Sequence, residues 1–268
     1  MKNIKTRIAA VMTGLVTMSA GVHGLAEHND EQKKEKITDV VSAPESFSSQ
    51  DTVLDETVAE TPRVLNIGDS RTVGMYFAEN MVKYSNEINA LDTKGDIWFA
   101  KVGQGLKWFE KNLDIVQKHA KNSNIVALNL GINDLASGSS DNVAQKYLSI
   151  INKLAETWHK EGKLVFFSSI NPVGPQYNHA QIFNQKIDNF NRIMKSNLSS
   201  DITFIDTNTF IKDKLQGKDF DKYGLHYVSA VNKSIHSYIN SEITKQWDKK
   251  RNKMNYAQFV GLQKSQEK

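Results

Sequence analysis

The sequence predicts an α/β fold in which a parallel sheet is covered by helices on both faces. Three observations carry this. From Arg63 onward, short apolar runs alternate with segments whose apolar residues recur at threes and fours. The short runs are continuously apolar rather than alternating, as strands buried on both faces are. Repeated strand–helix units, finally, imply parallel strands joined by right-handed crossovers.

The first run, Val64–Ile67, is stopped by Gly68, and Val73, Tyr76, Phe77 and Met81 then mark a helix reaching about Val82. The second run is Ile97–Val102, followed by Gly103 and a helix with Leu106, Phe109, Leu113 and Val116 on one face. The third, Ile125–Leu130, precedes a loop and a long helix marked by Val143, Tyr147, Ile150, Leu154 and Trp158. The fourth, Leu164–Ser168, leads through the Asn171–Pro175 loop to a helix around Phe183, Ile187, Phe190 and Met194. The fifth is Ile202–Ile205, and a closing helix carries Val231, Ile235, Tyr238 and Ile239. The expected sheet therefore has five parallel strands, and the sequence contains no internal repeat.

The flanks differ from this core. Residues 1–26 read as a signal sequence: Lys2, Lys5 and Arg7 precede an uncharged apolar stretch from Ile8 to Val22, and Gly24–Leu25–Ala26 supplies small residues for cleavage. An uncleaved signal anchor is the alternative, although the run is short for a spanning helix. Either way a secreted or extracytoplasmic domain is expected. Residues 27–62 are polar, nearly free of aromatics and interrupted by Pro44 and Pro62, which reads as a flexible linker. The folded domain spans 63–245. Residues 246–268 form a basic, lysine-rich tail carrying Trp247, Tyr256 and Phe259, read as an exposed terminal helix or a frayed end. A solvated end is the simpler reading; contact with an anionic wall polymer or a membrane surface is the other.

The chain of 268 residues suits one domain plus appendages. A net charge of +4, with lysines and acids interspersed, describes a solvated surface and argues against a nucleic-acid partner. The absence of cysteine excludes a cysteine nucleophile, disulfides and a thiolate metal site. An exported protein of this composition must be stable through its core alone.

In an open parallel sheet, ligands bind outside the carboxyl ends of the strands. After strand one stand Asp69, Ser70 and Arg71; after strand two, Gly103 and Gly105; after strand three, Gly131–Ile132–Asn133–Asp134; and ahead of the last helix, Asp219 to Tyr227. A serine at a helix N-terminus sits where free N–H groups favour negative charge, although Ser and Asp are equally favoured there as plain caps. A serine nucleophile needs a base of suitable pKa, and His226 lies in such a loop, with His179 as the fallback. Gly103 and Asn133 suit an oxyanion hole, together with the Ser70 N–H.

Gly68–Asp69–Ser70–Arg71, Gly103, Gly131–Ile132–Asn133–Asp134 and Gly224–Leu225–His226–Tyr227 resemble the four signature blocks of the SGNH (GDSL-like) hydrolases, over about Arg63 to Thr244. The resemblance implies a flavodoxin-like three-layer α/β/α sandwich. It also implies Ser70 as nucleophile, His226 as general base, and Gly103 and Asn133 as oxyanion donors. Two departures stand out. Arg71 replaces the usual Leu and reads as a contact to an anionic or sugar substrate or as a structural ion pair. Tyr223 stands where the family has Asp, three residues before the His. Asp221 then either reaches the imidazole through a longer loop, completing a triad, or a backbone carbonyl orients it and the enzyme is a Ser–His dyad. Arg71, Asp134 and Tyr223 are the expected substrate contacts.

These residues point to an exported serine esterase acting on short acyl esters, acetyl on wall or extracellular carbohydrate being the expected substrate. It would work as a monomer without metal or organic cofactor. An O-acetyltransferase using the same site, and an inactive carbohydrate-binding surface protein, are the alternatives.

Overall fold

The computed structural model describes residues 61–266. The signal sequence expected over 1–26, and all but the last two residues of the linker expected over 27–62, lie outside them. The described chain builds six strands: β1 (Val64–Gly68), β2 (Glu87–Leu91), β3 (Ile97–Lys101), β4 (Ile125–Asn129), β5 (Leu164–Ser168) and β6 (Ile202–Ile205). The helices are α1 (Ser70–Asn80), α2 (Leu106–Lys111), α3 (Leu113–Ala120), α4 (Ile132–Ser137), α5 (Ser140–Lys160), α6 (Ala180–Asn197), α7 (Thr207–Ile211) and α8 (Ser229–Gln266).

The sheet order is β2-β3-β1-β4-β5-β6. Five strands pair in parallel, in the flavodoxin-like order β3-β1-β4-β5-β6. The expectation of five strands falls one short: β2 adds an antiparallel edge, Glu87 opposite Lys101 and Leu91 opposite Ile97. Only Ile88 of its five residues is buried. An edge strand of this kind carries no continuous apolar run, so the sequence pattern that marks the other five passes over it.

Side chains alternate across the sheet, as the period of two requires. Leu65, Ile67, Ile97, Phe99, Leu128 and Phe167 enter one core layer, against Phe109 of α2, Val116 of α3, Tyr147 and Trp158 of α5, and Phe190 of α6. Trp98, Ile125, Phe166 and Ile205 enter the other, against Val73 and Tyr76 of α1 and Ile235, Ile239 and Ile243 of α8. Each large apolar side chain fully buried in this way contributes about 1.5–3 kcal/mol. Three helix starts are fixed locally: Asp69 accepts from the Arg71 N–H at α1, Ser139 from the Asn142 N–H at α5, and Asp206 from the Thr209 N–H at α7. Helix α8 runs 38 residues and takes in the lysine-rich stretch from 246, with side chains exposed from 252 to 258. No helix among the described residues is long and apolar enough to cross a membrane.

This order makes β1 the strand from which the chain departs first to one side, to β3, and then to the other, to β4. The crevice at such a reversal, beyond the carboxyl ends of the strands, is where open α/β sheets place ligands. The residues following β1, β3 and β4 all face it in register.

Candidate active site

The turn from β1 into α1 is tight. A Cβ on Gly68 would lie 1.7 Å from Thr72 Oγ1 and 2.7 Å from the Asn129 carbonyl, so only glycine fits. Asp69 caps the helix and is buried, its side chain accepting from the Arg71 N–H at 2.9 Å. Burial pushes the Asp69 carboxyl up to about 6, against the pull of that hydrogen bond and of the Arg71 charge. Ser70 follows as the first residue of α1, with 8% of its surface exposed.

The partner of Ser70 comes from the other end of the domain. Phe220 and Tyr227 pair as an antiparallel bridge and close a loop over 221–226. Inside it, Asp221 Oδ1 accepts from the N–H groups of Tyr223, Leu225 and His226 at 3.1, 3.0 and 3.4 Å. Its second oxygen, Oδ2, lies 3.0 Å from His226 Nδ1. Gly224, at φ +72°, makes the bend, and a Cβ there would fall 2.6 Å from the Tyr177 nitrogen. His226 Nε2 lies 3.0 Å from Ser70 Oγ. Burial opposes ionisation of Asp221, but the hydrogen bond and charge of His226 and the backbone donors outweigh it and hold the carboxyl below its ordinary value. An ionised carboxylate only accepts, so the proton on His226 belongs on Nδ1 and Nε2 is free to accept from the serine hydroxyl.

The third part of the site comes from the chain that follows β3 and β4. Asn133, in α4, donates through Nδ2 to the Gln104 carbonyl at 2.7 Å and so holds the exposed loop that contains Gly103. An amide carries two such protons, which leaves Asn133 a second donor. Next to it, Asp134 accepts from the Leu106 N–H at 3.3 and 3.2 Å and from the Tyr147 hydroxyl at 2.6 Å. Burial, reinforced by the neighbouring Asp134 carboxylate, raises the Tyr147 hydroxyl well above its ordinary value.

The structure brings Ser70, His226 and Asp221 into one hydrogen-bonded line, with Gly103 and Asn133 on the adjoining strand-end loops. Two of the expected substrate contacts have partners within the protein. Asp134 is engaged inside the protein, tying α2, α4 and α5 together. Arg71 is 5% exposed, and its guanidinium is taken up by the carbonyls of Asn171, Pro172 and Leu225, not by an ion pair. Both are polar groups whose partners lie far along the chain, so neither role is visible in local sequence. Tyr223 is exposed on the loop, with its N–H on Asp221 and Lys222 over its ring. His179 starts α6 in a left-handed conformation and is exposed; the hydrogen-bond partner of Ser70 is His226. Tyr227 ends the fourth signature block, and local sequence assigns it no role of its own. Its hydroxyl donates to the Pro172 carbonyl and its ring lies 4.9 Å beneath the Arg71 guanidinium. Burial pushes that hydroxyl up to about 12. The signals available were an aromatic residue beside the histidine and a proline just past β5.

No family model matches the chain, and no curated protein matches its sequence. Solved structures do match. A protein assigned as a platelet activating factor from Streptococcus pneumonia superposes with a TM-score of 0.52 at 17% identity, covering 70% of this chain and 86% of that one. One assigned as an acylhydrolase from Bacteroides fragilis gives 0.52 at 20% identity, covering 69% and 88%. A GDSL-like lipase from Bacteroides thetaiotaomicron gives 0.51 at 20% identity, covering 69% and 89%. At such identities the likeness speaks for the fold, and it agrees with the strand order and with the four signature blocks found at the strand ends. The chain therefore has the fold of the SGNH (GDSL-like) hydrolases.

Proposed function

We propose that the protein is an exported serine esterase that hydrolyses short acyl esters, with acetyl groups on a wall or extracellular carbohydrate as the substrate class. The hydrogen-bonded line from Asp221 through His226 to Ser70, ending at the N-terminus of α1, supports this reading most directly. Ser70 Oγ attacks the ester carbonyl as His226 Nε2 takes its proton. The oxyanion accepts from the N–H groups of Ser70 and Gly103 and from Asn133, donors that need no reorganisation. His226 returns the proton to the departing alcohol. It then takes one from water, which attacks the acyl-enzyme, releasing the acid and restoring Ser70. Asp221 holds the imidazole in the tautomer this cycle needs.

The basic and apolar start of the sequence supports export, and export supports a wall or extracellular substrate. The exposed loops carrying Gly103 and Tyr223 suit a small acyl group on a bulky, solvated alcohol. The test is turnover of nitrophenyl acetate by the wild type and by Ser70→Ala. The variant is expected to lose about 10³-fold or more in kcat. Equal rates for the two proteins overturn the proposal.

A further inference from the structure

We infer that Arg71 is a positioning residue: its guanidinium locks the loop carrying His226 onto the helix that carries Ser70. The inference rests on the esterase reading above. Arg71 directly follows Ser70 in α1, and Leu225 directly precedes His226. Nε and Nη2 of Arg71 both donate to the Leu225 carbonyl, at 3.3 and 3.0 Å. Nη2 also donates to the Pro172 carbonyl at 3.1 Å, and Nη1 to the Asn171 carbonyl. One planar group thus spans three segments: the start of α1, the chain leaving β5, and the loop of the base. Tyr227 completes the clamp from below, its ring under the guanidinium and its hydroxyl on the Pro172 carbonyl.

The placement matters because the base approaches from a distant part of the chain. The 3.0 Å separation of Ser70 Oγ and His226 Nε2 joins residues 156 positions apart. The loop of the base is exposed at Lys222 and Tyr223, while Phe220, Gly224 and Tyr227 are buried. Asp221 and the Gly174 N–H on the Gly224 carbonyl fix the shape of the loop; Arg71 ties the residue beside the histidine to the helix that carries Ser70. Arginine is the side chain that can do this. Its donors form a rigid fork that reaches several acceptors at once, whereas a lysine is a point charge on a flexible stem. A displacement of about 1 Å at a reacting pair can cost a hundredfold in rate.

The experiment measures kcat and KM on nitrophenyl acetate for Arg71→Lys and Arg71→Leu, per active site titrated with a fluorophosphonate, well below each protein's melting temperature. Both variants are expected to lose about tenfold or more in kcat with KM within about twofold of wild type. Per-site kcat within twofold of wild type in both variants overturns the inference, and so does full rescue by lysine, which would assign the effect to charge alone. A raised KM at unchanged kcat overturns it too, by making Arg71 a substrate contact. Should Arg71→Leu fail to fold, Arg71→Lys decides. Ser70→Ala is run alongside: if it keeps wild-type turnover, the esterase reading fails, and if it alone is inactive, only the role of Arg71 fails.

Discussion

Asp221 divides its two oxygens between a backbone turn and an imidazole, and the two tasks can be separated. In Asp221→Asn the amide oxygen can still accept from the loop N–H groups, but its NH2 then faces His226 Nδ1 and favours the wrong tautomer. A fall in kcat of about 10²–10⁴ with little change in KM is expected, measured on nitrophenyl acetate. Unchanged kcat would show that the carboxylate serves only the turn. Asp69 behaves in the opposite sense. Its carboxyl, raised to about 6 by burial, keeps its proton in the folded state where the unfolded chain has already lost it. Stability therefore falls as pH rises from about 4 to about 6, and the cost, at most about 3 kcal/mol, persists above that. Asp69→Asn keeps an acceptor for the Arg71 N–H without the buried charge. Its melting temperature should exceed that of the wild type by several degrees at pH 7 and by little at pH 4. An equal gap at both values would refute the raised carboxyl.

At the level of the element, the strand–turn–helix at 64–80 and the edge at 87–91 show what local sequence conveys. Runs such as Leu164–Ser168 and Ile202–Ile205 mark their strands to the residue, because Val165, Phe166, Phe167, Ile202 and Ile205 are apolar and buried. Glu87–Leu91 escapes, since its one buried residue, Ile88, gives no pattern to read. Gly68 is legible as a break but not as a necessity; the reason lies in the contacts a Cβ would make with Thr72 and the Asn129 carbonyl. Gly68→Ala must push apart β1, β4 and the first turn of α1. It is expected to destabilise by more than about 2 kcal/mol, read by denaturant unfolding. Because the Asn129 carbonyl is backbone, adding Thr72→Ala should recover only part of that loss.

Across the whole molecule, the site is legible as residue types at strand ends and illegible as contacts. Ser70, Gly103, Asn133 and His226 can be picked out because an open parallel sheet dictates where to look. That Asp221 reaches the imidazole from five residues away depends on the bend at Gly224 and on three backbone donors converging on one oxygen, and no spacing rule encodes this. The parts played by Arg71 and Asp134 are still less visible, because acidic and basic side chains near loops normally face solvent. Their partners are carbonyls, amides and a tyrosine supplied by other layers of the fold. The bond between Ser70 and His226, which spans 156 positions, carries a further meaning for the chain as it is made. Synthesis delivers Ser70 first and His226 long after it. Until β6 and the loop beyond it have emerged and docked, Ser70 lacks the hydrogen-bond partner that the esterase reading makes its proton acceptor. On the esterase reading, a chain that ends before His226 is expected to be unreactive toward an acylating probe, and reactivity reports docking of that loop onto α1.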